Sequence, residues 1–151
     1  MSVTINMQIE RMKTVWPNFA LTGREDNVAM WRGPLRPLLQ TYVVQILYRV
    51  PTMIEKLDAR HHQPHVSVVS PTLRRRPGDP EGALPHVYYA PDGSVTLCLL
   101  DPEAGDWATT DFLAETTVPW TIEWLAAYEG WRATGKWTAS GRHVESAARS
   151  V

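Results

Sequence analysis

Five prolines, Pro71, Pro77, Pro80, Pro85 and Pro91, crowd one stretch of this chain together with Arg74-Arg75-Arg76, Gly78 and Gly82. Each proline fixes its own φ and removes a backbone donor, so regular helix and interior strand are excluded from Pro71 to Pro91. The chain must cross the surface here. Long irregular segments of this kind are uncommon in compact domains and often serve function, and this one delivers the chain to its only cysteine, Cys98.

Before that stretch the pattern is regular. Ile5, Ile9, Met12 and Trp16 recur at helical spacing, with Thr4 placed to cap and Pro17 to close, which predicts one amphipathic amino-terminal helix. Strands are expected around Phe19 to Arg24, Val28 to Arg32 and Thr41 to Val50, with turns at Gly23 to Asn27 and at Gly33-Pro34-Leu35-Arg36-Pro37. Pro51 to Pro64 reads as a long connection, and His65 to Val69 as a fourth strand ending at Pro71. Sequential short strands with short connections favour an antiparallel meander.

Beyond the prolines a short helix is expected near Thr110 and a stronger one with Pro119 in its first turn. Trp120, Trp124, Leu125, Tyr128 and Trp131 fit one stripe of that helix, and Gly135 is placed to end it. Residues 140–151 are small and polar and read as a frayed tail. The fold class is therefore α+β: an amino-terminal helix, a four-stranded antiparallel meander, a loop carrying Cys98 and carboxy-terminal helices, in one domain over residues 1–151.

Charge narrows the partners. Fifteen Lys and Arg face sixteen acidic residues, so a net charge of −1 supplies no global field for gripping nucleic acid or an anionic membrane. The start of the chain lacks the layout of a secretory signal, and the apolar run from Tyr42 to Tyr48 is too short to span a bilayer, which points to a cytoplasmic, reducing setting. His61, His62 and His65 could suggest a metal cluster, but Pro64 interrupts them and the cysteine lies elsewhere, so neither metal nor cofactor is expected.

A lone cysteine has no intrachain disulfide partner and leaves two roles, buried filler or nucleophile. The local string Leu97-Cys98-Leu99-Leu100 favours filler. The order of the whole chain favours the nucleophile: helix, meander, proline-rich loop, His86, an Asp92-Gly93 turn, Cys98, then Trp107.

That order resembles the ubiquitin-conjugating enzyme family over nearly the whole chain. The residues that carry the resemblance are Trp31 before Gly33-Pro34, the strand from Tyr42 to Pro51, Pro64-His65-Val66, His86, Gly93, Cys98-Leu99, and Trp107 beyond the cysteine. Asp101 stands in the position of the loop between Cys98 and Trp107. The strings His86-Val87-Tyr88, Pro102 to Trp107, Glu123-Trp124-Leu125, Tyr128 to Trp131 and Thr134 to Trp137 are most similar to the bacterial branch, encoded in anti-phage cyclic-oligonucleotide signalling (CBASS) operons.

The resemblance implies a ubiquitin-conjugating fold in which Cys98 carries an acyl group as a thioester and passes it to an amine, with His86, Tyr88 and Asp101 in support. It also implies a separate ATP-dependent activating enzyme, and as acyl donor the carboxy terminus of a nucleotidyltransferase or of a ubiquitin-like protein. The family's Pro-Asn after the histidine is replaced here by Val87-Tyr88, which removes a familiar oxyanion donor and leaves the hydroxyls of Tyr88 and Tyr89 as substitutes. A thiol of ordinary pKa, about 8.5, needs no strong base for thioester exchange, because exchange between two thiols is nearly balanced in energy. Discharge to an amine is harder, and Asp101, Glu103 and Asp106 are candidates to take its proton. An inactive relative kept as a binding module and a cysteine hydrolase using Cys98 and His86 are the alternatives; the second lacks an evident orienting group.

Overall fold

The computed structural model describes residues 2–55, 62–78, 84–99 and 107–137. Helix α1, Ile5–Val15, begins where the Thr4 hydroxyl accepts the Met7 N–H at 3.1 Å and ends where the Trp16 N–H reaches the Met12 carbonyl at 2.8 Å. Its buried face is Ile5, Gln8 and Met12, so a glutamine occupies the core line where the spacing favours Ile9. The reason is hydrogen bonding: the Gln8 amide donates to the Asp111 carbonyl at 2.8 Å and accepts the Leu113 N–H at 2.9 Å. A buried amide satisfied on both sides is tolerated where an unpaired one would not be.

Strands β1 Ala20–Glu25, β2 Val28–Leu35, β3 Tyr42–Arg49 and β4 His65–Ser70 form one antiparallel sheet in the order β1-β2-β3-β4, the predicted meander. Period-two alternation sends Ala29, Trp31 and Leu35 of β2, Tyr42, Val44, Ile46 and Tyr48 of β3 and Val66 of β4 to the inner face that α1 covers. One boundary differs from expectation. β2 runs through Gly33, Pro34 and Leu35, where the residue types favour a turn. Pairing with β1 stops at Arg32, so β2 has a neighbour on one side only at Pro34, and a missing N–H costs no ladder bond on the open side. Gly33 is required there, because a Cβ would lie 2.5 Å from the Phe19 ring that lies against it.

The proline-crowded stretch also differs. Its last proline-free interval, between Pro85 and Pro91, holds a short strand β5, Val87–Tyr89, paired antiparallel with β6, Val95–Leu97. Prolines exclude an interior strand, but three residues suffice for a two-stranded hairpin. The Asp92-Gly93 turn closes it: the Asp92 carboxylate accepts the Ser94 N–H at 2.9 Å and the Ser94 hydroxyl at 2.6 Å, and these bonds hold its pKa below the usual carboxylate value.

In the carboxy-terminal part a single 3-10 turn, Leu113–Glu115, stands where a short helix is predicted near Thr110. The one α-helix described there is α2, Thr117–Thr134, with Pro119 in its first turn and Gly135 at φ 83° ending it. Its buried face is centred on Val118, Thr121, Trp124, Leu125 and Tyr128, which leaves Trp120 and Trp131 half-buried at the borders of the predicted stripe. Among the described residues no helix is long and apolar enough to cross a membrane. The predicted tail, 140–151, lies outside the described residues.

Candidate functional site

Cys98 follows the last residue of β6, and strand alternation decides its surroundings. Leu97 and Leu99 are buried at 5% and 6% exposure, while Cys98 between them faces the other way and is only half-buried. The leucines that make the local string look like core are thus the reason the thiol is not core.

Among the described residues, two hydrogen bonds help to place Cys98. Its N–H donates to the His86 carbonyl at 3.0 Å, and its thiol donates to the Tyr88 hydroxyl oxygen at 3.3 Å. Tyr88 is exposed and lies on β5, with Thr96 of β6 as its register partner. The hairpin therefore brings Cys98, His86 and Tyr88 together, the three described residues among the four expected at the site. Asp101, like Glu103 and Asp106, lies outside the described residues. Tyr89, the other candidate hydroxyl, is directed elsewhere and accepts the Leu84 N–H at 3.2 Å.

His86 contributes through its backbone as much as its ring. Its φ is +55°, uncommon for a residue with a side chain, and its carbonyl accepts a second bond, from the Trp124 indole N–H of α2, at 2.9 Å. The imidazole lies 4.8 Å from the Trp137 ring, centroid to centroid. Trp137 in turn meets Trp124 edge-on at 5.1 Å, and Trp124 stacks on Tyr128 at 5.6 Å. The sequence reading of Trp124 as helical core is correct for its ring and misses its nitrogen. Nothing in the spacing marks which indole is bonded: the buried N–H groups of Trp107 and Trp137 have no partner among the described residues, whereas that of Trp124 does.

The basic run is strapped down. The Arg74 N–H and carbonyl both bond the Tyr128 hydroxyl, at 2.6 and 3.1 Å, and the Arg132 guanidinium donates to the Arg75 carbonyl at 3.3 Å. Of the three histidines considered for a metal, His61 lies outside the described residues, His62 is buried and His65 is exposed on β4. Among the described residues no group of three His, Cys, Asp or Glu is arranged to hold a metal ion. A groove of about 450 Å³ lies on the outer face of the sheet, lined by Val28, Leu47, Arg49, Glu55, Gln63 and His65, and none of Cys98, His86 or Tyr88 lines it.

A four-stranded antiparallel sheet with a helix on its inner face, a long aromatic helix after it, and a half-buried thiol at the foot of a hairpin define a mixed α+β protein built around a cysteine. The chain belongs to the Type II CBASS E2 protein family, whose model matches residues 8–144. No curated protein matches the chain.

Proposed function

We propose that this CBASS E2-like protein is a cytoplasmic, single-domain ubiquitin-conjugating-type acyl carrier acting in anti-phage defence. Cys98 is the carrier. Its thiolate attacks the thioester carbonyl presented by a separate ATP-dependent activating enzyme; the new C–S bond forms at Cys98 as the activating enzyme's thiol leaves. An acceptor amine then attacks the same carbonyl, loses its proton, and displaces the Cys98 thiolate. The acyl group is the carboxy terminus of a partner protein, either the nucleotidyltransferase that makes the signalling nucleotide or a ubiquitin-like protein.

The observation that carries this reading is the placement of the thiol. It is half-buried, turned away from the core that holds Leu97 and Leu99, and within 3.3 Å of an exposed phenol. The Tyr88 O–H can rotate to donate to a thiolate or to the oxyanion that forms beside it, the role left open by the absent asparagine. The His86 carbonyl holds the Cys98 backbone. Asp101 is assigned the amine proton by its resemblance to the family's loop position.

The test is Cys98→Ser, incubated with the neighbouring operon proteins and ATP. A stable ester-linked adduct on the variant, matched by a thiol-sensitive adduct on the parent, is the expected result. No adduct on either chain overturns the proposal.

A further inference from the structure

We infer that Trp124 is a positioning residue for the Cys98 thiol, acting from α2 through the His86 carbonyl. This deepens the reading above and rests on Cys98 being the reacting group.

The His86 carbonyl oxygen accepts two donors, the Cys98 N–H at 3.0 Å and the Trp124 indole N–H at 2.9 Å. The first bond continues the β5–β6 pairing by one step, past the Val87–Leu97 pair, to the residue that bears the sulfur. The second ties that step to a helix remote in sequence. A two-stranded hairpin is marginal alone, and this one has only three paired residues on each strand. Leu97 and Leu99 fix the β6 side of that step in the core, and the indole bond fixes the β5 side, at His86.

Trp124 is suited to anchor it. The residue is 3% exposed, stacked on Tyr128 and packed edge-on against Trp137, so its ring is held on two sides and its N–H has a fixed direction. His86 stands at positive φ, a conformation that costs a side-chain-bearing residue free energy and that the two bonds to its carbonyl offset. When the indole N–H is removed, the carbonyl loses the donor from α2, the Cys98 backbone loosens with it, and the 3.3 Å contact between sulfur and the Tyr88 hydroxyl is no longer held. Trp124 touches no reacting atom. Its effect is carried entirely by the geometry of Cys98 against Tyr88.

The experiment is the rate of Cys98 alkylation by iodoacetamide as a function of pH, on the full chain, for the parent, Trp124→Phe, Tyr88→Phe and the double variant. Losing one hydrogen bond corresponds to about a fivefold change in rate. Tyr88→Phe is expected to slow alkylation near neutral pH by about that factor and to move the midpoint of the profile upward, because the thiolate loses a donor. Trp124→Phe is expected to move rate and midpoint in the same direction, and the double variant to show less than the sum of the two effects. Tyr128→Phe keeps the same aromatic stack but removes the hydroxyl that binds Arg74, and is expected to leave the profile unchanged. Should Trp124→Phe fail to fold, benzothienylalanine at position 124 removes the N–H and keeps the ring shape. A Trp124→Phe profile that superimposes on the parent, or strict additivity with Tyr88→Phe, or an equal shift from Tyr128→Phe, overturns the inference. Alkylation reads the thiol without any acyl donor, so a chain that shows this coupling yet never carries an acyl group refutes the thioester reading alone.

Discussion

The sheet and the part of the chain beyond the prolines are held together in different ways. Strands β2, β3 and β4 present one continuous apolar face, from Trp31 on β2 through Ile46 and Tyr48 on β3 to Val66 on β4, each of these side chains at most 1% exposed, while β1 buries no side chain. The carboxy-terminal part shares that core through Leu113, Val118 and Leu125 and is fastened besides by single polar side chains that reach backbone atoms far away in sequence. Gln8 binds both Asp111 and Leu113, the Trp16 indole donates to the Ala114 carbonyl at 2.7 Å, Tyr128 clasps Arg74, and Trp124 holds His86. Arg11 adds an ion pair with Glu115 and lies 4.1 Å above the Phe112 ring. Apolar burial builds the platform, and directed hydrogen bonds set the position of the hairpin that carries the thiol.

Substitutions in the two regions should separate stability from thiol chemistry. The largest loss is expected in the sheet: Trp31→Ala should lower unfolding free energy by about 3–5 kcal/mol, measured by denaturant titration, through lost burial and the cavity left behind. Its folded fraction should still alkylate at the parent rate. A change in that rate would mean that the platform and the site are not separable.

Gln8→Ala comes next. It strips partners from the Asp111 carbonyl and the Leu113 N–H, the second of them a buried bond, and should cost about 2 kcal/mol in the same titration. An unchanged unfolding free energy would show that Gln8 does not fasten the carboxy-terminal part to α1.

The smallest effect should have the opposite sign. Tyr48 packs edge-on against Trp107 at 5.5 Å with its hydroxyl buried and unpartnered among the described residues, so Tyr48→Phe should stabilise by about 1 kcal/mol, read as a raised Tm. Burial, with a smaller contribution from Asp111, pushes this phenol up to about 12. The unfolded chain ionises near the ordinary tyrosine value of about 10 while the folded one does not, so stability contributed here is complete below that pH and is lost between about 10 and 12. Tyr48→Phe should remove this part of the alkaline fall. The part due to Tyr42 should remain, since burial and its bond to Glu129 at 3.0 Å raise that phenol as well.

The same contrast explains what could be read from the sequence. Alternation and helical spacing are periodic signals, and they placed α1, four strands and α2 with small errors at the ends. The errors have local causes: Gly33-Pro34 looks like a turn, yet continues β2 because its open side needs no donor. The hairpin leaves no mark in the sequence because three-residue strands are too short for a periodic signal, and the surrounding prolines argue against strand. The site was legible in part. The resemblance to a known family named His86, Tyr88, Asp101 and Cys98 as candidates, and the hairpin brings the three described ones together, whereas the links from Gln8, Trp124 and Tyr128 could not be read, because a side chain's reach to a distant carbonyl leaves no spacing to detect.

The central claim, that Cys98 carries an acyl group as a thioester, is tested most directly by the intact mass of the parent chain after incubation with ATP, the activating enzyme and the acyl-donor protein of its operon. The account predicts an adduct equal to the donor's mass less one water, mapped to the peptide containing Cys98, absent from Cys98→Ala, and released by excess thiol. An unchanged mass, or an adduct that persists in thiol and maps away from Cys98, would contradict it.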